Sequence, residues 1–183
     1  MYSTGFLPKL RGRSFWIKCW SLLFVLAPLI PAQAQQPPVA CKLLQPAELE
    51  SALGGKAGKF AGLDLGDGSM CNGQIGSLKV LIRTAKRQGD EGGAKERKGI
   101  ELARAQGFQI EVKTDGELTC STAIPPASKS QVGFNTTCSI LHAGRVVAVE
   151  VGAPSQKEMA SMDVVRKLVQ KAVSYTHLRA HET

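Results

Sequence analysis

The run FNTTCSILHAGRVVAVEVGA, residues 134–153, constrains the fold more than any other stretch. Its apolar residues alternate on both sides of a His142–Arg145 turn, the period of a half-buried β-hairpin. Pairing Ile140 with Val147 sets Cys138 beside Val149 and Thr136 beside Val151 on one face. Upstream, FQIEVKTDGELTCST alternates again, at Phe108, Ile110 and Val112 and then at Leu118, Cys120 and Thr122. If strands 117–123 and 134–141 are neighbours, one register pairs Leu118 with Ile140, Cys120 with Cys138 and Thr122 with Thr136. Directly opposed residues of an antiparallel pair have Cα atoms near the separation a disulfide needs. That register therefore predicts a Cys120–Cys138 bond.

The turn of the 108–122 hairpin admits two forms. A two-residue Asp115-Gly116 turn would oppose Val112 to Thr119 and put the apolar sets on opposite faces. A three-residue loop, Thr114-Asp115-Gly116, opposes Val112 to Leu118 and Ile110 to Cys120. Register follows the buried face, so the three-residue loop is the expectation.

The N-terminal segment fixes the compartment in which those cysteines work. MYSTGFLPKLRGRSFWIKCW carries Lys9, Arg11, Arg13 and Lys18 and no acid, and the apolar run SLLFVLAPLI and Ala32-Gln33-Ala34 follow it. A basic stretch, a short apolar core and small residues at a cleavage position make a secretory signal, too short to span a bilayer comfortably. Residues 1–34 are thus expected to be removed after Ala34 and the protein to be periplasmic or secreted, with 35–40 as a short leader. Pro38-Val39-Ala40-Cys41 ends like a lipid-attachment site, but it lies well past the apolar run and has proline where leucine is usual. Cys19 leaves with the signal, so Cys41, Cys71, Cys120 and Cys138 remain, an even set in an exported chain. With Cys120 matched to Cys138, Cys41 pairs with Cys71.

The last eleven residues, VSYTHLRAHET, hold His177 and His181 four apart, a metal-ligand spacing on a helix. They also match, in every position, the in-frame translation of a transposase adapter used in sequencing libraries. Met162, Val165, Leu168, Val169 and Ala172 fall at helical spacing, and Tyr175 onward breaks the stripe. Residues 173–183 are therefore set aside as an adapter scar, and no metal site is expected from the histidine pair.

What remains, residues 35–172, has 18 Lys+Arg against 14 Asp+Glu, a net +4, and only Phe60, Phe108 and Phe134 as aromatics. Single-strand nucleic acid binding uses aromatic platforms and a basic groove, so nucleic acid is not an expected partner. CKLLQPAELESALGG reads as a helix with Pro46 in its first turn and Gly54-Gly55 as a stop. KAGKFAGLDLGDG reads as a glycine-rich surface loop, and SMCNGQIGSLKVLIRTAKR as a hairpin with Leu78, Val80 and Ile82 on one face. AKERKGIELARAQG reads as a helix ended by Gly107, and Ser161 caps a last helix. The fold class expected is α+β: a mostly antiparallel sheet of five to six strands packed with three helices, stapled by disulfides, as a single domain over 41–172.

The C-x-L-L-x-x-x-E-L-x-x-x-L-G opening, followed by a cysteine-bearing hairpin, a middle helix and a second cysteine pair, resembles small exported bacterial domains of unknown function. These are similar to the LpqN/PsbP-like α/β sandwiches. The resemblance covers about residues 41–172 and implies a cell-envelope protein with no catalytic residues and no ligand to carry over.

Candidate chemistry is sparse. No G-x-S-x-G occurs, GDGSM and IGSLK lacking its shape. No C-x-x-C and no phosphate-binding GxxxxGK[ST] occur either. Asp64 and Asp67 in GLDLGDG lack the spacing and terminal glutamate of an EF-hand loop. His142 sits in a hairpin turn. Asn135-Thr136-Thr137 has the form of a glycosylation sequon but reads more plainly as β-strand. The favoured expectation is a non-catalytic exported domain that binds an envelope protein or small ligand, with no cofactor and no metal. The alternative is a small hydrolase or ligand-processing enzyme with a dispersed site drawn from Asp64, Asp67 and His142. A third reading, attachment to anionic lipid through Lys95, Arg97, Lys98 and Arg104, predicts steep salt dependence.

Overall fold

The computed structural model describes residues 39–87, 89 and 91–179. The expected signal segment 1–34 and His181 lie outside them, as do the side chains of Lys95 and His177. A 3-10 turn, Val39–Lys42, leads into α1 (Pro46–Leu53), β1 (Ala61–Asp64), β2 (Gly68–Ile75), β3 (Leu78–Lys86) and α2 (Glu91–Ala105). Then come β4 (Gln109–Asp115), β5 (Leu118–Ile124), a 3-10 segment Ala127–Val132, β6 (Phe134–His142), β7 (Arg145–Ala153) and α3 (Met162–Arg179).

The strands form one antiparallel sheet in the order β1-β2-β3-β7-β6-β5-β4. It has seven strands rather than five to six. The addition is β1, which comes from the stretch expected to be a loop. All four of its residues are exposed, so it carries no alternation to read, and only its ladder with β2 makes it a strand. Edge strands are often short and weakly patterned for this reason.

β6 and β7 pair with Ile140 opposite Val147, Cys138 opposite Val149 and Thr136 opposite Val151, as the alternation predicts. β5 and β6 pair Leu118 with Ile140, Cys120 with Cys138 and Thr122 with Thr136. The β4–β5 hairpin departs from the expected register. Asp115 opposes Leu118, Val112 opposes Ser121 and Ile110 opposes Ala123, around a two-residue Gly116-Glu117 turn with Gly116 at φ 60°. A glycine at positive φ in the first central position suits a hairpin turn that matches strand twist. The expectation failed because it required both strands to bury the same face. β4 is the edge strand, and its Ile110 and Val112 are half-buried on the face opposite Cys120.

One face of the sheet carries the core. Cys71, Ile75, Leu78, Val80, Ile82, Leu118, Cys120, Cys138, Val147, Val149 and Val151 meet Leu43, Leu44 and Leu49 and the α3 stripe Met162, Val165, Leu168, Val169 and Ala172. The repeat of apolar residues in α3 supplies the stripe that a helix needs to lie on a sheet. Ser161 Oγ accepts the Val164 N–H at 3.4 Å, capping that helix, and Thr136 Oγ1 donates to the Ala160 carbonyl at 2.7 Å. α3 does not stop at Ala172. Val173 is buried, and the helix runs on through Ser-Tyr-Thr-His-Leu-Arg, which contains no glycine or proline to end it. Such a run extends an established helix whatever its origin.

The other face is not covered in this way. α2 meets the sheet chiefly beside β4, where Arg104 donates to the Ile110 carbonyl at 2.9 Å and the Phe108 N–H to the Ala103 carbonyl at 3.1 Å. Among the described residues, no helix is long and apolar enough to cross a membrane.

Candidate functional site

The four expected cysteines are joined in two bonds, Cys41–Cys71 with Cα atoms 5.0 Å apart and Cys120–Cys138 with Cα atoms 4.0 Å apart. The first ties the N-terminal 3-10 turn to β2, where the Ala40 N–H also donates to Ser69 Oγ at 2.9 Å. The second links neighbouring strands directly beneath α3, and both of its cysteines are fully buried. Sulfur in those positions holds structure and meets no solvent.

Asp64, Asp67 and His142 do not assemble a reactive site. Asp64 Oδ1 accepts the Gly66 N–H at 3.1 Å, a local turn contact. Asp67 contributes its backbone carbonyl, which accepts from the Lys86 N–H at 2.9 Å and from Arg145 at 3.5 Å. His142 sits opposite Arg145 at the β6–β7 turn. None of the three lines any of the clefts described below. Among the described residues, no group of three His, Cys, Asp or Glu side chains is placed to hold a metal ion. Arg97, Lys98 and Arg104 of the basic helix are all exposed.

The carboxylate with a distinctive environment is Glu48, at the start of α1. Its side chain is 15% exposed; it accepts the Gln45 N–H at 2.8 Å, Lys171 Nζ at 2.8 Å and the Tyr175 hydroxyl at 2.7 Å. Burial alone would raise its pKa, but the hydrogen bonds from Lys171, Gln45 and Tyr175 outweigh it and leave the carboxyl below its ordinary value. The same contacts push Lys171 and Tyr175 upward, the hydrogen bond to Glu48 being the main cause for each. This cluster pins α1 to α3 and caps α1; every group in it is satisfied by another. A cleft beside it, lined by Ser51, Ala52, Val164 and Lys167, is shallow and shares those structural residues.

The open face presents a different arrangement. Two adjoining hollows of about 290 and 350 Å³ share Lys79, Val132, Asn135 and Gly152, and together form one trough across β2, β3, β7 and β6. Strand register builds it. Lys79 opposes Gly152, and Gly152 opposes Asn135; in the next row Asn72 opposes Leu81, Leu81 opposes Glu150, and Glu150 opposes Thr137. Successive same-face rows lie roughly 7 Å apart. The 3-10 segment after β5 forms one lip, bearing Val132, an apolar side chain 57% exposed.

Gly152 makes the trough. A Cβ at that position would lie 2.9 Å from Asn135 Oδ1, so the absence of a side chain lets the carboxamide lie across β7. Asn135 and Glu150 are half-buried, and Asn72 and Lys79 line the exposed margin. Among the described residues, none of these four side chains has a hydrogen-bond or ion-pair partner. A cation, a carboxylate and two carboxamides thus share one wall, their capacity unspent. Nothing in the sequence marks these four as a group. Alternation shows only that these positions face away from the core, and Asn135 reads there as a plain strand residue.

No protein-family model and no curated protein sequence matches the chain. Among solved structures, it is similar to the extracellular domain of PknH from Mycobacterium tuberculosis. The TM-score is 0.49 and the identity 12%, over 78% of this chain and 98% of that one. What fold and site together define is a disulfide-stapled α+β domain with helices over one sheet face and a polar trough on the other.

Proposed function

We propose that the protein is an exported, non-catalytic binding domain of the cell envelope, and that it engages its partner through the open sheet face. The observation that carries this reading is the trough, with its four polar side chains that bond to nothing else among the described residues. The compartment rests on the signal-like N-terminus and on two disulfides in the core, bonds that persist in oxidising environments. The opening segment's resemblance to LpqN/PsbP-like exported domains supports the same compartment. Binding is the reading that the four unpaired side chains support; the trough's Ser77 has its hydroxyl engaged, donating to Glu158 Oε1 at 3.0 Å.

The test places a photo-crosslinking residue at Arg83 on the open face or at Lys167 on α3, in the protein expressed in a bacterial envelope. Cross-links from position 83 and none from position 167 are the expected result. Equal labelling from both faces, or recovery of the protein from the cytosol with its cysteines alkylatable, overturns the reading.

A further inference from the structure

We infer that the trough takes a short peptide with free termini, its carboxylate on Lys79, its ammonium on Glu150 and its amide on Asn135. This deepens the binding reading and rests on it. Lys79 and Glu150 lie on neighbouring strands, one same-face row apart. Such diagonal neighbours lie roughly 7 to 8 Å apart, their Cβ atoms somewhat closer. An extended dipeptide spans about 7 Å between its ends. Opposite charges on diagonal neighbours, neither of them paired within the described chain, match a molecule that carries both charges at its two ends. A phosphate or a simple polyol would use only one of them.

The carboxamides complete the match. Asn135 offers a donor and an acceptor in one plane, the complement of a peptide group, and Gly152 leaves it free to lie flat in the floor. Asn72 offers the same pair at the far side of the Leu81 row. Val132 on the lip supplies apolar contact for a small side chain, and Pro154 lines the same hollow. Hollows of about 290 and 350 Å³ accommodate two or three small residues.

The probe is L-alanyl-L-alanine, titrated into the isotopically labelled, oxidised protein and followed by amide shifts. Saturable shifts confined to the Lys79, Asn135, Glu150 and Gly152 region are expected, with a Kd on the order of 1 mM for so small a ligand. Acetyl-Ala-Ala-amide, which lacks both charges, should bind at least tenfold more weakly. Lys79→Met and Glu150→Gln should each weaken Ala-Ala about tenfold, and Gly152→Val should abolish the shifts. Should Gly152→Val fail to fold, Asn135→Ala, which removes only a side-chain end, takes its place. Shifts elsewhere, no saturable shift, or equal binding of the blocked peptide overturns the inference. Crosslinks from position 83 that persist while Ala-Ala fails leave the binding reading standing without this ligand class. Loss of both overturns both.

Discussion

Thr136 has its hydroxyl fully buried and bonded to Ala160, one residue before the α3 cap. Thr136→Val keeps the shape but leaves that carbonyl unpaired, so stability should fall by about 1 to 3 kcal/mol. A denaturation midpoint with unchanged slope measures it. Glu48 gives a pH signature. Its folded pKa is depressed, so the unfolded chain binds more protons in the acid range. Its stabilisation is therefore present above the ordinary carboxylate pKa and is lost as pH falls through the folded value. Glu48→Gln should lower stability at pH 7 and flatten the decline below about pH 4.3, read from urea midpoints across that range. Residues of this kind are only partly legible. Glu48 falls in the first turn of a helix that the sequence predicts, but its partners Lys171 and Tyr175 lie on an element far along the chain, and no local pattern announces that meeting.

At the scale of elements, the alternation of β6 and β7 and the cysteine positions named their partners, because a buried face and two sulfurs demanded one register. β1 and β4 escaped that logic. Each is an edge strand with no fully buried residue of its own, so no burial pattern pins its register. The β4–β5 register is set by its turn, which gives a direct check. Gly116→Val, at φ 60°, should lower stability by roughly 1 to 2 kcal/mol. An effect under a few tenths would speak against the two-residue turn. α3 offers a second check, ending the chain after Ala172. If the last residues are an adapter scar, the shortened protein should keep its fold and the Glu48–Lys171 pair, losing only what Val173 and the Tyr175 hydroxyl contribute. A melting curve that collapses would make the end of α3 integral to the domain.

For the molecule as a whole, the two disulfides close short segments, with sequence separations of 30 and 18. Chain-entropy arguments give about 3 to 4 kcal/mol for each. Replacing Cys120 and Cys138 together by alanine should lower unfolding free energy by about that amount, and a non-reducing peptide map should recover Cys41 with Cys71 and Cys120 with Cys138. The helix-and-sheet class was legible from the composition of the strands and the periodicity of α3. The proposed binding trough was not, because its polar side chains come from four strands and their only shared mark in sequence is that they are not apolar.

The placement of those disulfides has a further consequence. Cys41–Cys71 lies wholly before α2 and Cys120–Cys138 wholly after it, while the two parts meet in the sheet through the β3–β7 ladder. No covalent staple crosses that seam; only the peptide chain through α2 does, and Arg97 and Lys98 there are exposed. The protein should therefore behave as a pair of complementing fragments. Trypsin cleavage within α2 should give two internally cross-linked pieces that separate on a denaturing gel even without reductant, yet migrate as one particle in native buffer.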